Sequence, residues 1–115
     1  MEIKPVKIVE KPWGREIWLS VEDEYAGKIL EIRKGCRTSL QYHKKKKESM
    51  YVFSGKMKVD CPHGEGDLIV KAGESITINP GDHHRICALE DLVLIEVSTP
   101  ELDDVVRVED DHGRK

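Results

Sequence analysis

The sequence is poor in cysteine and in side-chain amides. Its three cysteines, Cys36, Cys61 and Cys87, form no Cys-x-x-Cys pair, so neither a disulfide framework nor a zinc knuckle is predicted. A reducing compartment suits such thiols best. Gln41 is the only glutamine and Asn79 the only asparagine, whereas lysine and glutamate are abundant, and this balance favours a heat-adapted protein.

Long apolar runs and an excess of one charge are also missing. No run approaches the roughly 20 residues of a membrane span, and the first residues lack the basic and then apolar pattern of a signal peptide. Charged residues make up 36% of the chain, yet the net charge is only −3, so no strong field favours nucleic acid or a membrane surface. We therefore expect a cytoplasmic protein of one domain, since 115 residues suffice for one core.

Short runs rich in Val, Ile and Thr recur between turn signals, and no segment shows sustained helical periodicity. The predicted class is all-β, a sandwich or a barrel. A glycine between two such runs predicts a tight hairpin at Ser54-Gly55. The predicted strands are Glu16–Leu19, Lys28–Arg33, Thr38–His43, Ser49–Ser54, Lys56–Asp60, Leu68–Lys71, Ser75–Ile78, Arg85–Leu89, Leu92–Val97 and Val105–Val108.

Two spaced segments carry metal-capable side chains beside glycine turns. They read Gly35-x5-Gln41-x-His43-x4-Glu48-x6-Gly55 and Gly73-x6-Pro80-Gly81-x2-His84. Both lie in stretches that are predicted to be strand. Imidazole, carboxylate and carboxamide groups that come from two strand pairs can build one divalent-metal site.

Strand alternation places Ser39, Gln41 and His43 on one face, which must be the interior if they bind a metal. The turn that follows, Lys44–Lys47, is interpreted as an exposed hairpin tip. After it the chain returns, and the carboxylate of Glu48 is expected to lie beside His43.

His84 arrives from a different strand pair. A single strand histidine is usually no ligand, but His43, Glu48 and His84 together make a set of two histidines and one carboxylate, with or without the weaker ligand Gln41. Open coordination positions are typical of a catalytic or substrate-binding metal, and Mn²⁺, Fe²⁺, Zn²⁺, Ni²⁺ and Co²⁺ are all candidates.

These segments resemble the two motifs of the cupin superfamily, with Gln41 in place of the first histidine of the usual His-x-His. A closer resemblance, to the type II mannose-6-phosphate isomerase domain that often ends mannose-1-phosphate guanylyltransferases, runs along most of the chain. It rests on Pro12-Trp13-Gly14, Ser39-Leu40-Gln41-Tyr42-His43, Tyr51-Val52, Ser54-Gly55, Pro80-Gly81, His84-Arg85, Leu94-Ile95-Glu96-Val97 and Val106–Arg114. The resemblance implies a double-stranded β-helix, a jelly-roll barrel with its core at about residues 13–110, that holds one divalent metal.

The chain departs from this family around the motifs. The family usually has histidines where Lys44 and Lys45 stand, a histidine or aromatic residue after Glu48, and tyrosine where His112 stands. Glutamine is common in the family at the position of Gln41.

The resemblance also implies interconversion of an aldose phosphate with a ketose phosphate, of the mannose 6-phosphate and fructose 6-phosphate type. This reaction needs a base that moves a proton between C1 and C2, and a metal that polarises the sugar oxygens. Glu48 is one candidate base. Glu96 is the other, because its apolar neighbours are expected to raise its pKa towards neutrality, although it could simply pair with Arg107 or Lys28.

A phosphate group would need arginine or lysine at the barrel mouth. Arg37 has the parity of Gln41 and His43 and is therefore predicted to face inward, while Lys28 and Arg85 lie near strand ends. Trp13 and Trp18 are interpreted as core or interface anchors that could also flank a sugar.

Exposed strand edges of such a barrel are commonly covered by a second copy, so a homodimer is expected. Three other functions stay open at this point. They are a non-catalytic metal- and sugar-binding module, an iron-dependent dioxygenase that uses the same three ligands, and a metal-free deoxysugar-nucleotide epimerase, which the ligand pattern disfavours.

Overall fold

The computed structural model describes residues 1–114, in which all regular secondary structure is β-strand. The strands are β1 (Lys7–Lys11), β2 (Gly14–Val21), β3 (Ala26–Ile32), β4 (Leu40–Tyr42), β5 (Glu48–Ser54), β6 (Lys56–Cys61), β7 (Gly66–Lys71), β8 (Ser75–Ile78), β9 (Arg85–Ala88), β10 (Leu92–Ser98) and β11 (Val106–Glu109). Each predicted strand overlaps an observed one, and β1 was not predicted. Within the same residues no helix could serve as a membrane span.

The strands form two layers. The first is a six-stranded sheet in the order β1-β2-β3-β10-β5-β8. The second contains the three-stranded sheet β7-β6-β9 and the pair β11-β4, which are joined by the backbone bridges Arg37–Cys87 and Gln41–His84. All strand pairs are antiparallel, and the all-β jelly-roll prediction is confirmed.

The apolar core fills one end of the space between the layers. Strands β3, β5 and β10 each bury every second residue, as expected for strands with one face inside. At one end of these strands the inward residues are apolar, among them Ile32, Val52 and Leu92. At the other end the inward residues are charged, and Lys28 and Glu96 are register partners there. The site therefore lies at the polar end.

The predicted hairpin at Ser54-Gly55 is wrong. Strand β5 pairs with β10 and β8, whereas β6 pairs with β7 and β9, so the chain changes sheet at this point. Gly55 has a φ of 93°, and a Cβ atom there would lie 2.2 Å from the carbonyl oxygen of Asp91. Glycine is needed here for a close backbone approach between the layers, and for its positive φ.

Candidate functional site

A cavity of about 360 Å³ opens at the polar end of the barrel. Its walls come from both layers and from the loop between β10 and β11. The lining side chains include nine charged residues, namely Lys11, Glu16, Lys28, Lys46, Glu48, Glu96, Asp103, Arg107 and Arg114.

Three predicted metal ligands meet beside this cavity. His43, Glu48 and His84 are all buried, and one ligand atom from each lies within 4.8 Å of the others. Glu48 Oε1 is 3.3 Å from His43 Nε2 and 3.5 Å from His84 Nε2. Alternation along β5 and the turn before it deliver Glu48, while His84 comes from the second layer just before β9.

The second nitrogen of each ring is held by a backbone carbonyl. His43 Nδ1 lies 2.6 Å from the carbonyl oxygen of Asp104, and His84 Nδ1 lies 2.8 Å from that of Asp82. Because a carbonyl oxygen can only accept, each Nδ1 carries the proton and donates it. In the neutral rings both Nε2 lone pairs then point towards Glu48, and His84 Nε2 has no hydrogen-bond partner.

This arrangement fits a divalent cation. Two lone pairs and a carboxylate oxygen converge in a buried place where no donor stands between them, and buried polar atoms require a partner. Ring orientation by an outer carbonyl is also usual for histidines that bind metals. His43, Glu48 and His84 therefore form a possible metal-binding triad, of which Glu48 lines the cavity.

Glu48 is ionised in this environment. Burial alone would raise its pKa, but the imidazoles of His43 and His84, which donate to Glu48 in their protonated form, and the Lys46 ammonium outweigh burial and hold the pKa well below the usual range. Glu48 is therefore available as an anionic ligand at neutral pH.

Asp104 organises the turn that joins His43 to Glu48, and its role was not predicted. Its carboxylate accepts hydrogen bonds from the backbone N–H groups of Lys44, Lys45 and Lys46 at 3.0, 2.6 and 2.9 Å. These three bonds lower the pKa of Asp104 to about 2. One residue thus fixes the path of the turn with its side chain and the ring of His43 with its carbonyl.

The prediction that the whole run Lys44–Lys47 is exposed is wrong for Lys46, whose exposed fraction is 3%. Its ammonium lies 3.0 Å from Glu48 Oε2 and 3.4 Å from Glu96 Oε2, as ion pairs without hydrogen-bond geometry. Strand alternation could not predict this burial, because Lys46 lies in the turn before β5, which begins at Glu48.

Glu96 lines the cavity from β10 and is buried. Its ion-pair partner is Lys46, and the pairing with Arg107 or Lys28 that was considered from the sequence does not occur. Burial and the negative charge of Glu48 raise the pKa of Glu96 to about 7, while Lys46 and Lys28 oppose the shift.

Lys28 also lines the cavity, but it is already paired. Its ammonium is 3.3 Å from Glu16 Oε1 and 4.7 Å from the centre of the Trp18 ring. Trp18 Nε1 in turn donates to Glu16 at 2.9 Å. Positive and negative groups therefore alternate along the inner wall, in the order Glu16, Lys28, Glu96, Lys46 and Glu48.

Gln41 is bonded to the triad through its backbone and not through its side chain. Its backbone exchanges two hydrogen bonds with His84, at 3.0 and 2.9 Å, and its side chain lines the cavity. The amide oxygen accepts a hydrogen bond from Ser39 Oγ at 2.7 Å and keeps a second lone pair. A ligand role for Gln41 stays a prediction.

The predicted inward orientation of Arg37 is wrong. Its guanidinium lies at the surface and donates to Asp111 at 2.6 and 2.9 Å. Alternation could not be extended to Arg37 because β4 begins only at Leu40.

Arg85 is buried, as a residue of a site would be, but it is absent from the cavity wall. It donates to the carbonyl oxygen of Thr38 at 2.8 Å and to Asp111 at 3.0 Å. These bonds tie the C-terminal segment to the barrel. A substrate-binding role for Arg37 and Arg85 would therefore need a place outside the cavity.

Comparison with known proteins identifies a family. The family model described as mannose-6-phosphate isomerase C-terminal matches residues 2–110. The chain is 36% identical over 115 residues to mannose-1-phosphate guanylyltransferase of Escherichia coli K12, and 32% identical over 111 residues to the xanthan biosynthesis protein XanB of Xanthomonas campestris. Each alignment covers 92% of this chain and 23% of the relative, so the chain spans less than a quarter of these curated relatives.

Solved structures share the fold at low identity. KdgF from Halomonas sp. has a TM-score of 0.75 at 20% identity, over 88% of this chain and 92% of that one. An RmlC-like cupin from Shewanella frigidimarina has a TM-score of 0.75 at 20% identity, over 86% and 87%. Together with the match of the family model, these findings confirm the resemblance that the motifs indicated. The chain is a double-stranded β-helix of the cupin type and belongs to the mannose-6-phosphate isomerase C-terminal family.

Proposed function

We propose that the protein is a metal-dependent isomerase that interconverts an aldose phosphate and its ketose phosphate, with mannose 6-phosphate and fructose 6-phosphate as the first pair to test. One observation carries the proposal. Two imidazole nitrogens and the carboxylate of Glu48 converge beside a cavity whose wall also holds a second buried carboxyl group, that of Glu96. The family of the chain supports the choice of sugar.

The metal would be held by His43, Glu48 and His84, with Gln41 beside them. The mixed nitrogen and oxygen ligands are compatible with Mn²⁺, Fe²⁺, Co²⁺, Ni²⁺ or Zn²⁺. Such an ion, when bound, supplies a Lewis acid that polarises the oxygens on C1 and C2 of the sugar.

We assign the proton transfer to Glu96. Glu48 directs Oε1 at the two imidazoles and is therefore occupied as a ligand. Glu96 faces the same cavity from β10 but lies outside the triad, so its carboxylate can take a proton from C2 of the aldose and return it to C1, while the proton of the C2 hydroxyl passes to the oxygen on C1. Lys46 stays beside both carboxylates and limits their mutual repulsion.

Trp13 and Trp18 both line the cavity, but neither presents a free aromatic face. The ammonium groups of Lys7 and Lys28 lie 4.8 and 4.7 Å from the centre of the Trp18 ring, and Trp13 is buried in the apolar core. Contact of either ring with a sugar therefore stays a prediction from the sequence.

Metal analysis followed by a screen of sugar phosphates tests this function. We expect about one equivalent of a divalent metal in the wild type, and its loss in His84→Ala while the circular dichroism spectrum is unchanged. Glu96→Gln should keep the metal and lose aldose–ketose conversion. His63→Ala is the control, because His63 is exposed and lies outside the triad.

Other outcomes would replace the proposal. Metal retention without conversion of any aldose or ketose phosphate would indicate a non-catalytic binding module. Oxygen consumption by the iron-loaded protein would indicate a dioxygenase. Full metal occupancy in His84→Ala would remove His84 from the site.

We further propose that the protein works as a homodimer in the cytoplasm. Apolar side chains that are successive register partners cross the outer face of the six-stranded sheet, namely Ile8, Ile17, Ile29, Ile95 and Tyr51. Phe53 on the same face has an exposed fraction of 63%. Such a patch suits an isologous contact with a second copy, and Phe53→Asp should shift the mass measured by light scattering from dimer to monomer. The free state of all three cysteines suits a reducing compartment.

A further inference from the structure

Three basic side chains from distant parts of the sequence line one cavity. Lys11 ends β1, Arg107 lies on β11, and Arg114 lies in the C-terminal turn. Arg107 is the register partner of Gln41, and direct cross-strand partners point to the same face of a sheet. The fold, and not the sequence order, therefore brings these cations to one opening.

Two of these cations, Lys11 and Arg107, differ from the inner ones in their pairing, whereas Arg114 is paired. Lys28 and Lys46 each have a carboxylate partner inside the cavity. Among residues 1–114, neither Lys11 nor Arg107 has an ion-pair or hydrogen-bond partner for its charged group. Arg114 is held by Asp110, to which its Nε and Nη2 donate at 2.9 and 3.0 Å.

The crowding of like charges is unfavourable without an anion. Burial lowers the pKa of Lys11, the charges of Arg107 and Arg114 lower it further, and only Glu16 opposes them substantially. Asp103 also lines the cavity but is exposed and forms no ion pair with them in the described chain. A dianion bound here would remove the repulsion and gain charge-assisted hydrogen bonds.

We propose that Lys11, Arg107 and Arg114 form the subsite that binds the phosphate group of the substrate. The guanidinium group suits phosphate because it offers two parallel donors in a fixed plane. Arg107 pairs with Gln41, and Gln41 pairs with His84 on its other side. The backbones of Arg107 and His84 are therefore two strand spacings apart, or roughly 10 Å. That separation is comparable to the length of a six-carbon sugar phosphate, so the reacting carbons would reach the triad while the phosphate stays at the mouth.

This inference rests on the proposed function for the identity of the sugar, but not for the binding of phosphate. The first experiment therefore uses inorganic phosphate alone, titrated calorimetrically into the manganese-loaded protein. Arg107→Met should raise the dissociation constant at least tenfold and Lys11→Met several-fold, while Arg107→Lys keeps part of the affinity. Manganese content should be unchanged in all three, which separates loss of the subsite from loss of the metal.

Arg37→Met is the matched control, because Arg37 is an exposed arginine on the outside of the barrel. It should bind phosphate as the wild type does. If the sugar phosphate is converted, Arg107→Met should raise KM at least tenfold with kcat within about threefold, since the phosphate is remote from the reacting carbons.

Three results would overturn the subsite: no phosphate binding by the wild type, equal binding by Arg107→Met and Lys11→Met, or equal weakening by Arg37→Met. Phosphate binding that depends on Arg107 without turnover of any sugar phosphate would instead keep the subsite and reject the isomerase.

Discussion

Lys46→Met gives the sharpest test of the charged interior. Methionine keeps most of the length of the aliphatic stem and removes the ammonium that lies 3.0 Å from Glu48 and 3.4 Å from Glu96. Two buried carboxylates would then face each other without their shared cation. Removal of one partner of a buried ion pair typically costs about 3–5 kcal/mol.

The assay is thermal and urea unfolding in the presence of a chelator. For a chain of this length, each kcal/mol lowers Tm by roughly 4 °C, so a fall of about 12–20 °C is expected. Addition of Mn²⁺ should shrink the difference from the wild type, because a cation bound by Glu48 restores positive charge beside it. The double variant Lys46→Met with Glu48→Gln should recover part of the loss.

Lys45→Met is the control for this experiment. Lys45 belongs to the same turn but is exposed, so its substitution should change the unfolding free energy by less than about 0.5 kcal/mol. If Lys46→Met unfolds within that same margin of the wild type under chelation, the interior charge pairing described above is incorrect.

Three further predictions concern the fold. Gly55→Ala should lower the free energy of unfolding in urea more than Gly73→Ala does. Both glycines have positive φ, but only at Gly55 would the added Cβ atom clash with a backbone oxygen, that of Asp91 at 2.2 Å. Equal losses would count against the close approach. Leu94→Ala should cost about 2–5 kcal/mol and Val97→Ala, on the exposed face of the same strand, far less; similar values would contradict the burial pattern. Arg114 holds the pKa of Asp110 well below its usual range, so this pair adds stability that is present above about pH 4 and declines as the pH falls further. Asp110→Asn should weaken this loss of stability in acid. An unchanged dependence of the unfolding free energy on pH would refute the pairing.

Local pattern was enough to predict most of the possible metal-binding triad. Alternation along one strand predicted that His43 faces inward, and the short turn Lys44–Lys47 limited how far from it Glu48 could lie. The position of His84 followed from a turn signal and from the resemblance to a known motif. The strands were recoverable for the same reason, since period-two alternation is a local property.

The errors arose where the outcome depends on pairing between distant strands. Gly55 looks like a hairpin glycine, and only the partners of β5 and β6 show that the chain changes layers there. Arg37 was assigned by parity beyond the point where the strand begins. The burial of Lys46 was not predicted because four successive lysines resemble a solvent-exposed turn. Two carboxylates from different strands, Glu48 and Glu96, offset the cost of removing its ammonium from water.

The meeting of Lys11 and Arg107 at one cavity was also not predicted from the sequence. Lys11 lies on a strand that was not predicted, and Arg107 was considered only as a partner for Glu96. Their convergence depends on the pairing of β11 with β4, which joins residues more than sixty positions apart. No local pattern encodes such a meeting.

Asp104 links two parts of the centre that could have been independent. Its carbonyl holds the ring of His43, and its carboxylate holds the amide protons of Lys44, Lys45 and Lys46. A displacement of this loop would release the imidazole and the lysine turn in one event. If the triad holds a divalent ion, those three amide protons should exchange with deuterated solvent more slowly after the ion is added than after it is chelated.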